Sequence, residues 1–425
     1  MKNILKNIVL SILKRLAKSR LKKYRGKIVA VTGSIGKTST KEAIYTVLNS
    51  QFKVKRSRSS MNSDFGVLLT ILDIDSGYSS ATKWFWLLMK AFVHSMSRDY
   101  SEILMLEMGV DKPGDMDFLL DVVAPDVAVI TNIFPVHMAE GQFSSLQAIF
   151  DEKSKLAHRL KEGGTAILNV DDDFLMELSK NLPKKRVLTF GRHAEAIYRM
   201  GDVKTVADGL SFNISHKDYN VEVKAKILGE HQSYVLTPAF ICGNIFEMGV
   251  GQILLALERF HLPPGRMNVI PAIEDAVILD SSYNSSPRAL GEALKVLKDF
   301  AGMRNKVAVL GNMNELGAQS KSLHEMVGAE IPKYADVLVT VGEEAKTFAL
   351  SAMKNGMKDK NIHSFKNVKE AIDFFAGKVE KGDVFLVKGS QNNVRLERFV
   401  KAYMAHPEEA KELLVRQERE WELKI

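Results

Sequence analysis

An apolar run, Ile28-Val-Ala-Val31, ends at Thr32-Gly33, and after Gly36 the stretch Lys41–Leu48 reads as helix. This succession of strand, glycine turn and helix limits the possible folds more than any other feature of the chain. A buried strand leading directly into a helix belongs to a parallel sheet, because the helix is the crossover that returns the chain to the sheet's starting edge. The pattern recurs at Ile103–Leu106 before Glu107, at Ala128–Asn132 and at Ala166–Asn169, with one more strand expected at Phe52–Lys55. Parallel sheets covered on both faces place ligands beyond the carboxyl ends of their strands. Thr32, Glu107, Asn132 and Asn169 all fall there.

A chain of 425 residues needs more than one core. From about 185 to 226 short alternating segments, Leu210–Ile214 and Tyr219–Ala225 among them, suggest a small antiparallel insert. Pro263-Pro264-Gly265 is the expected domain boundary. Beyond it, strands expected at Ala276–Asp280, Lys306–Leu310, Val337–Val341 and Val384–Val387 give a second, smaller α/β domain, and the stretch from Pro407 reads as a charged helix. The expected division is therefore a segment 1–26, a domain 27–263 and a domain 264–425.

The net charge of +8 is concentrated at the start, where residues 1–27 hold ten Lys and Arg and no Asp or Glu. The remainder is close to neutral, so the charge gives no reason to expect a nucleic-acid partner. Ile4, Leu5, Ile8, Val9, Ile12, Leu13 and Leu16 recur among those cations at helical spacing. A basic amphipathic helix of this kind either lies on an anionic membrane surface or docks on its own protein. Residues 78–96, which include Trp84, Phe85, Trp86, Leu87, Leu88, Met89, Phe92 and Val93, are nearly apolar yet too short for a bilayer span. A core helix is the first expectation there, and a membrane-surface or substrate-facing helix the second. The lone cysteine, Cys242, leaves no intramolecular disulfide and no multi-cysteine zinc site, which suits a reducing, cytoplasmic setting.

Gly33-Ser34-Ile35-Gly36-Lys37-Thr38-Ser39 carries the chemistry. Glycines let the backbone curl so that N–H groups converge on phosphate oxygens, and the following helix adds its positive end. Lys37 suits the β- and γ-phosphates, and the Thr38 hydroxyl suits a magnesium ion. The usual phosphate-loop pattern has a further glycine where this chain has Val31.

Val31-Thr-Gly-Ser-Ile-Gly-Lys-Thr-Ser-Thr40 resembles the ATP loop of the Mur ligase family. Further similarity to that family's D-alanyl-D-alanine-adding branch runs in order through Ser60-Met-Asn-Ser-Asp-Phe-Gly66, Leu106-Glu-Met-Gly109, Ile130-Thr-Asn132 with His137, Gly163–Asn169, Gly229-x-His231 and Pro264-Gly-Arg-Met267. It continues through Asp280-Ser-Ser-Tyr-Asn284, Val309-Leu-Gly-Asn-Met-Asn-Glu-Leu-Gly317 and Val387-Lys-Gly-Ser390. The resemblance implies a central ATPase domain with a mostly parallel sheet, followed by a Rossmann-like α/β domain. It also implies an ATP- and Mg2+-dependent amide ligase working through an acyl phosphate.

Laid on this chain, it makes Lys37, Glu107, His137, Lys153, Arg266 and Lys388 catalytic. Nucleotide contacts fall on Thr32, Gly33, Ser34, Ile35, Gly36, Lys37, Thr38, Ser39, Asn169, Asp280 and Asn284. Metal would be held by Thr38, Glu107, His137 and Lys153, with Lys153 carried as a carbamate and Lys155 as its runner-up. The implied partners are a UDP- or lipid-linked muramyl peptide and a dipeptide or amino-acid donor.

Several positions depart from the pattern. The family's UDP-gripping domain has no counterpart ahead of the loop at residue 33; Ser63 and Gln232 replace asparagines; Ser281 and Asn312 replace aspartates. The expected reaction is addition of D-alanyl-D-alanine to a UDP-muramyl tripeptide in peptidoglycan synthesis. The alternatives are ligation to a lipid-linked muramyl peptide or a folate polyglutamate, or a nucleotide-binding module that no longer ligates. The segment 1–26 allows peripheral contact with the inner face of the membrane.

Overall fold

Strand β1 (Lys27–Thr32) has one exposed residue followed by five buried ones, the burial of a strand covered on both faces. The structure, a computed structural model, describes residues 2–57, 61–75, 81–182, 186–206, 209–390, 394–418 and 421. Ser60 of the asparagine-rich segment, residues 78–80 of the apolar stretch and residues 422–425 lie outside the described residues.

The strands that join β1 are β2 (Val54–Arg56), β3 (Ile103–Glu107), β4 (Val127–Ile130), β5 (Thr165–Asn169), β6 (Arg186–Gly191), β7 (Tyr198–Val206), β8 (Gly209–His216) and β9 (Tyr219–Ala225). They form one nine-stranded sheet in the order β2-β3-β1-β4-β5-β6-β7-β8-β9. Pairing is parallel from β2 through β7 and antiparallel from β7 to β9. The stretch from about 185 to 226 holds the expected small antiparallel segment, β7 to β9, which continues the main sheet. Its first strand, β6, pairs in parallel with β5 along Thr165–Asn169. Local alternation reports which face a residue takes but not which strand lies beside it.

Among the described residues of this half, nine helices cover the sheet and its ends: α1 (Lys2–Lys23), α2 (Lys37–Leu48), α3 (Asp64–Leu72), α4 (Ala81–Met96), α5 (Asp115–Leu120), α6 (Leu146–His158), α7 (Asp173–Asn181), α8 (Ser233–Ile245) and α9 (Val250–Glu258). Successive β1 residues serve opposite faces. Val29 and Val31 pack in one core with Ile44 of α2, Phe240 of α8 and Ile253 of α9. Ile28 and Ala30 pack in the other with Leu13 of α1, Leu68 of α3, Leu119 of α5 and Ile149 of α6.

Of the two readings of the basic N-terminal helix, docking on its own domain is what the structure shows. Leu13 and Ala17 are fully buried. Arg20 donates to the Leu72 carbonyl at 2.8 Å and pairs with Asp99 at 3.1 Å, while Lys14 and Lys18 both pair with Asp121. The expectation of a core helix at 78–96 needs correction. Ala91 is buried and Trp84, Leu87 and Leu88 pack on the core, but the opposite face of α4 is exposed. Periodicity shows that a helix has apolar faces without showing how many elements cover them. No helix among the described residues is long and apolar enough to cross a membrane.

The chain reaches its second sheet between Glu258 and Asn268, the stretch that holds Pro263-Pro264-Gly265. This sheet contains β10 (Asn268–Pro271), β11 (Val277–Ser281), β12 (Lys306–Gly311), β13 (Val337–Val341), β14 (Ile362–Phe365) and β15 (Val384–Lys388) in the order β10-β11-β15-β12-β13-β14. It is parallel except for the edge strand β10. The charged helix expected from Pro407 is a single turn, Pro407–Glu409, followed by Ala410–Leu413. There the chain extends, and Arg416 is buried against Glu397 and the Tyr283 carbonyl.

Candidate active site

Residues Gly33 to Gly36 carry the backbone from β1 into α2. Gly33 has φ 143° and Gly36 φ 84°, a region that favours glycine. A Cβ on Gly33 would sit 2.0 Å from Thr131 Oγ1, so the loop lies hard against the end of β4. Ser34 N–H donates to the Asn132 carbonyl at 2.9 Å and Ile35 N–H to Asn132 Oδ1 at 2.8 Å. Asn132 Nδ2 returns a bond to the Ile35 carbonyl at 3.0 Å, and the Thr32 hydroxyl donates to the Met108 carbonyl at 2.7 Å. This clamp narrows the expected phosphate cradle. With the Ser34 and Ile35 N–H groups engaged by Asn132, the first α2 turn, Lys37 to Ser39, is the remaining source of phosphate donors, and its N-cap, Gly36, makes no side-chain cap bond.

Glu107, the last residue of β3, is buried beside that turn. Its Oε1 accepts from the Thr38 hydroxyl at 2.9 Å and from Asn62 Nδ2 at 3.0 Å. Its Oε2 is buried with no hydrogen-bond partner, and the Lys41 ammonium is 3.7 Å away. A hydroxyl beside an under-satisfied carboxylate oxygen is a donor set for a hard dication, so Thr38 and Glu107 fit magnesium. Among the described residues no three His, Cys, Asp or Glu side chains converge to hold an ion. Phosphate oxygens and water would complete the coordination of an ion here.

Lys37 folds back on the loop, donating to the Gly33 and Ser34 carbonyls at 2.8 and 3.1 Å. Burial lowers its pKa against the pull of Glu107. Lys153 on α6 is fully buried, and its ammonium has no hydrogen-bond partner. Burial first, and then the charge of Lys37, push its pKa well below the usual lysine value. Lys155 differs in every respect. It is part-exposed and pairs with Asp117 at 2.6 Å and Glu152 at 2.7 Å. Burial pulls its pKa down, but those two partners outweigh it and leave the pKa raised.

The second half of the chain closes over this arrangement. Arg266 stacks on Tyr283 and donates to the Thr38 hydroxyl at 2.9 Å, although 228 residues separate the two in sequence. Lys388, at the end of β15, is buried and donates to Ser281 Oγ at 3.1 Å and the Asn284 carbonyl at 2.9 Å. Burial, with Arg266 adding to it, lowers its pKa to about 7. Ser281, one of the departures in sequence, therefore serves as an acceptor for Lys388. Across the seam Glu315 Oε2 lies 2.8 Å from His137 Nδ1, whose other acidic neighbour, Asp111, is 3.6 Å away. The imidazole holds the Glu315 carboxyl below the usual carboxylate range. His137 itself has φ 55°, a left-handed conformation rarely adopted by non-glycine residues.

The Mur ligase middle-domain pattern matches residues 31–243, and the family's glutamate ligase domain pattern matches residues 265–391. The chain belongs to the Mur ligase family. The UDP-N-acetylmuramoyl-tripeptide--D-alanyl-D-alanine ligase of Bacillus subtilis is 29% identical to this ligase over 405 residues, 95% of this chain and 81% of the relative. The enzyme of the same name from Rickettsia prowazekii is 27% identical over 409 residues, 95% and 83% of the two chains. Among solved structures, the MurF ligase of Thermotoga maritima in complex with ADP superposes with a TM-score of 0.75 at 28% identity, covering 95% of this chain and 84% of that one.

Not every residue named from sequence faces the loop of this Mur ligase. Asn169 donates to the Thr131 carbonyl at 3.0 Å, tying the ends of β4 and β5 together, and accepts from Asp171 N–H at 3.1 Å in a local turn, so both ends of its amide are engaged. Asn284 Oδ1 accepts from Ser285 N–H at 2.9 Å. Asp280 is fully buried, its pKa raised to about 6 by burial, with one carboxylate oxygen unpartnered. Conversely, Lys41, Asn62, Asp111 and Glu315 join the site without having been singled out. Asn62 and Glu315 sat inside quoted motifs. Lys41 had a signal of its own, standing four residues after Lys37 and so one turn along the same helix face.

Proposed function

We propose that this Mur ligase uses ATP and magnesium to join D-alanyl-D-alanine to a UDP-muramyl tripeptide, a step of peptidoglycan precursor synthesis. The observation that carries the reading is the convergence of Thr38 and Glu107 with Lys37 from one half of the chain and Arg266 from the other. In the proposed reaction the γ-phosphoryl group of ATP passes to the acceptor carboxylate. The donor amine attacks the resulting acyl phosphate, and inorganic phosphate leaves as the amide forms.

Such a transfer rests on positioning and charge neutralisation. In this reading Thr32 and the loop Gly33, Ser34, Ile35 and Gly36 set the backbone, and the N–H groups of Lys37, Thr38 and Ser39 take the phosphates. Lys37, released from its carbonyls, reaches the γ-phosphate, while Arg266 and Lys388 bring cations from the far wall. Asn169, Asp280 and Asn284 shape the nucleotide's surroundings. Magnesium, when bound, neutralises phosphate charge; Thr38 and Glu107 would hold one ion, and His137 with Lys153 would support a second. A neutral Lys153 amine can add carbon dioxide, forming an N–C bond and losing a proton, which turns a buried amine into a carbamate anion. The division at Pro263-Pro264 places the two walls in separate domains.

The decisive measurement is ADP formation by the full chain with UDP-muramyl tripeptide, with and without D-alanyl-D-alanine. Formation that depends on both substrates supports the reading, and indifference to either one removes it. Lys153→Ala should abolish turnover and regain part of it with short carboxylates, whereas Lys155→Ala should stay within about twofold of wild type, as expected for a part-exposed lysine already paired with Asp117 and Glu152. Wild-type turnover in Lys153→Ala would take that residue out of the site. A lipid-linked muramyl peptide as acceptor is favoured by one observation, the exposed apolar face of α4. We place the enzyme in the cytoplasm, with peripheral contact at the inner membrane face through residues 1–26.

A further inference from the structure

Helix α4 is apolar on two sides. Its inner side meets the core through Ala91, Leu87 and Leu88. On its outer side Phe85, Met89, Phe92, Val93 and Met96 stand at steps of four, three, one and three residues, a second helical stripe, with Trp86 beside it. Each of these six is more than half exposed, Trp86 by 71%. Isolated apolar residues on a surface are unremarkable, but a contiguous stripe marks a contact site. No Asp or Glu occurs anywhere in α4.

The neighbouring helix extends the stripe and supplies charge. Lys23 of α1 donates to the Ser95 and Met96 carbonyls, which identifies the side of α1 that faces α4. Ile12, eleven residues earlier and so three turns away, lies on that side. It is 39% exposed, and Ile8, one turn further, is 51% exposed. Lys14, Lys18 and Arg20 are held by Asp121 and Asp99, whereas Arg15, Lys22 and Arg25 are exposed.

We propose that the outer face of α4, rimmed by the α1 cations, docks in the plane of an anionic lipid bilayer. This rests on the peripheral contact proposed above and moves its apolar anchor from α1, whose best apolar side is buried, to α4. Trp, Phe and Met side chains settle at the boundary between headgroups and acyl chains, and Lys and Arg are drawn to anionic headgroups. A second copy of the chain fits less well, since neither α1 nor α4 carries an Asp or Glu to complement the cations of the rim. The inner side of α4 packs near the catalytic end of the sheet. Trp84 of α4 meets Phe65 of α3 edge-on at 5.8 Å, and just before α3 lies Asn62, which bonds Glu107. An acceptor carried on a lipid would thus arrive on the side of the domain where the α3 start and Glu107 lie.

The test is flotation of the full chain with vesicles of phosphatidylcholine alone or mixed with phosphatidylglycerol. Wild type should float with the mixed vesicles at least about tenfold more than with the neutral ones, and less as salt rises. Trp86→Ser combined with Phe92→Ser should lower that partitioning about tenfold or more, with an unchanged melting temperature and unchanged ADP formation on soluble substrates. Trp86→Phe should keep it. In a Trp84→Phe, Trp421→Phe background the remaining Trp86 emission should shift to the blue on mixed vesicles. Wild type that floats with neither kind of vesicle would overturn both the peripheral contact and this surface. Binding by the double serine variant equal to wild type, but lost in Arg15→Glu with Lys22→Glu, would overturn the α4 surface and leave the N-terminal contact standing. Dimerisation that the serine variant abolishes, without vesicle binding, would assign the face to a second copy and overturn the proposal. Failure of ADP formation with normal flotation would count against the ligase reading alone.

Discussion

The two walls of the seam are built in different ways. On the first, the parts of the phosphate loop lie within seven residues, and its support comes from adjacent strand ends: Asn132 after β4 holds Ser34 and Ile35, and Met108 after β3 holds Thr32. On the second, Arg266, Glu315 and Lys388 come from three separate stretches, and two of them meet partners on the first wall, Thr38 and His137. The first wall is therefore complete before the halves meet, while the second gains its purpose only from the meeting. Substitutions on the first wall should act on chemistry or on local backbone strain. Those on the second should act on closure and on charge buried at closure.

The largest effect expected is that of Lys37→Ala, a loss of about a thousandfold in ADP formation, the scale of a key charge contact in phosphoryl transfer. The melting temperature should hardly change, because this side chain bonds only the loop's own carbonyls. An equal loss of stability would erase the contrast between the walls. Arg266→Ala comes next, with turnover down by roughly a hundredfold while nucleotide affinity, measured by calorimetry, changes much less. Weakening of affinity alone would show that Arg266 belongs to binding and not to the closed reacting state. Gly33→Ala should cost about 1–3 kcal/mol of stability through its backbone angle and the clash with Thr131 Oγ1, and Thr131→Ala should return part of it. Thermal melts of the single and double variants decide this.

The last effect, read from pH and not from turnover, concerns Lys388, whose pKa falls from 10.5 to about 7 on folding. Between those values the unfolded chain binds the extra proton, so folding stability rises with pH across that window. The melting temperature of wild type relative to Lys388→Met should therefore climb from pH 7 to about pH 10. A flat difference would mean that Lys388 keeps its proton in the folded protein and that its wall is wetter than the geometry indicates.

Much of the first wall was legible in the sequence because its instructions are local. Glycines at 33 and 36, a lysine and a threonine after them, and an apolar run before them specify a turn whatever surrounds it. The strand ends bearing Glu107 and Asn132 were readable for the same reason. Residues such as Ser34, Ile35 and Asn169 were placed in the right neighbourhood, but the strand-end groups they bond were not readable, since which N–H or amide is already engaged depends on the strand alongside. In the β6 to β9 region the antiparallel alternation was visible, whereas the parallel attachment of β6 to β5 was not.

By itself the sequence determined the elements and their periodicities, the phosphate loop and the order of the motifs, because each depends on residues a few positions apart. The tertiary structure alone decided that Arg266 meets Thr38, that Glu315 meets His137, that Lys153 is buried without a partner while Lys155 is paired, and that α4 keeps one apolar face uncovered. Those facts depend on which distant surfaces come into contact and how much water they exclude, and no local pattern records either.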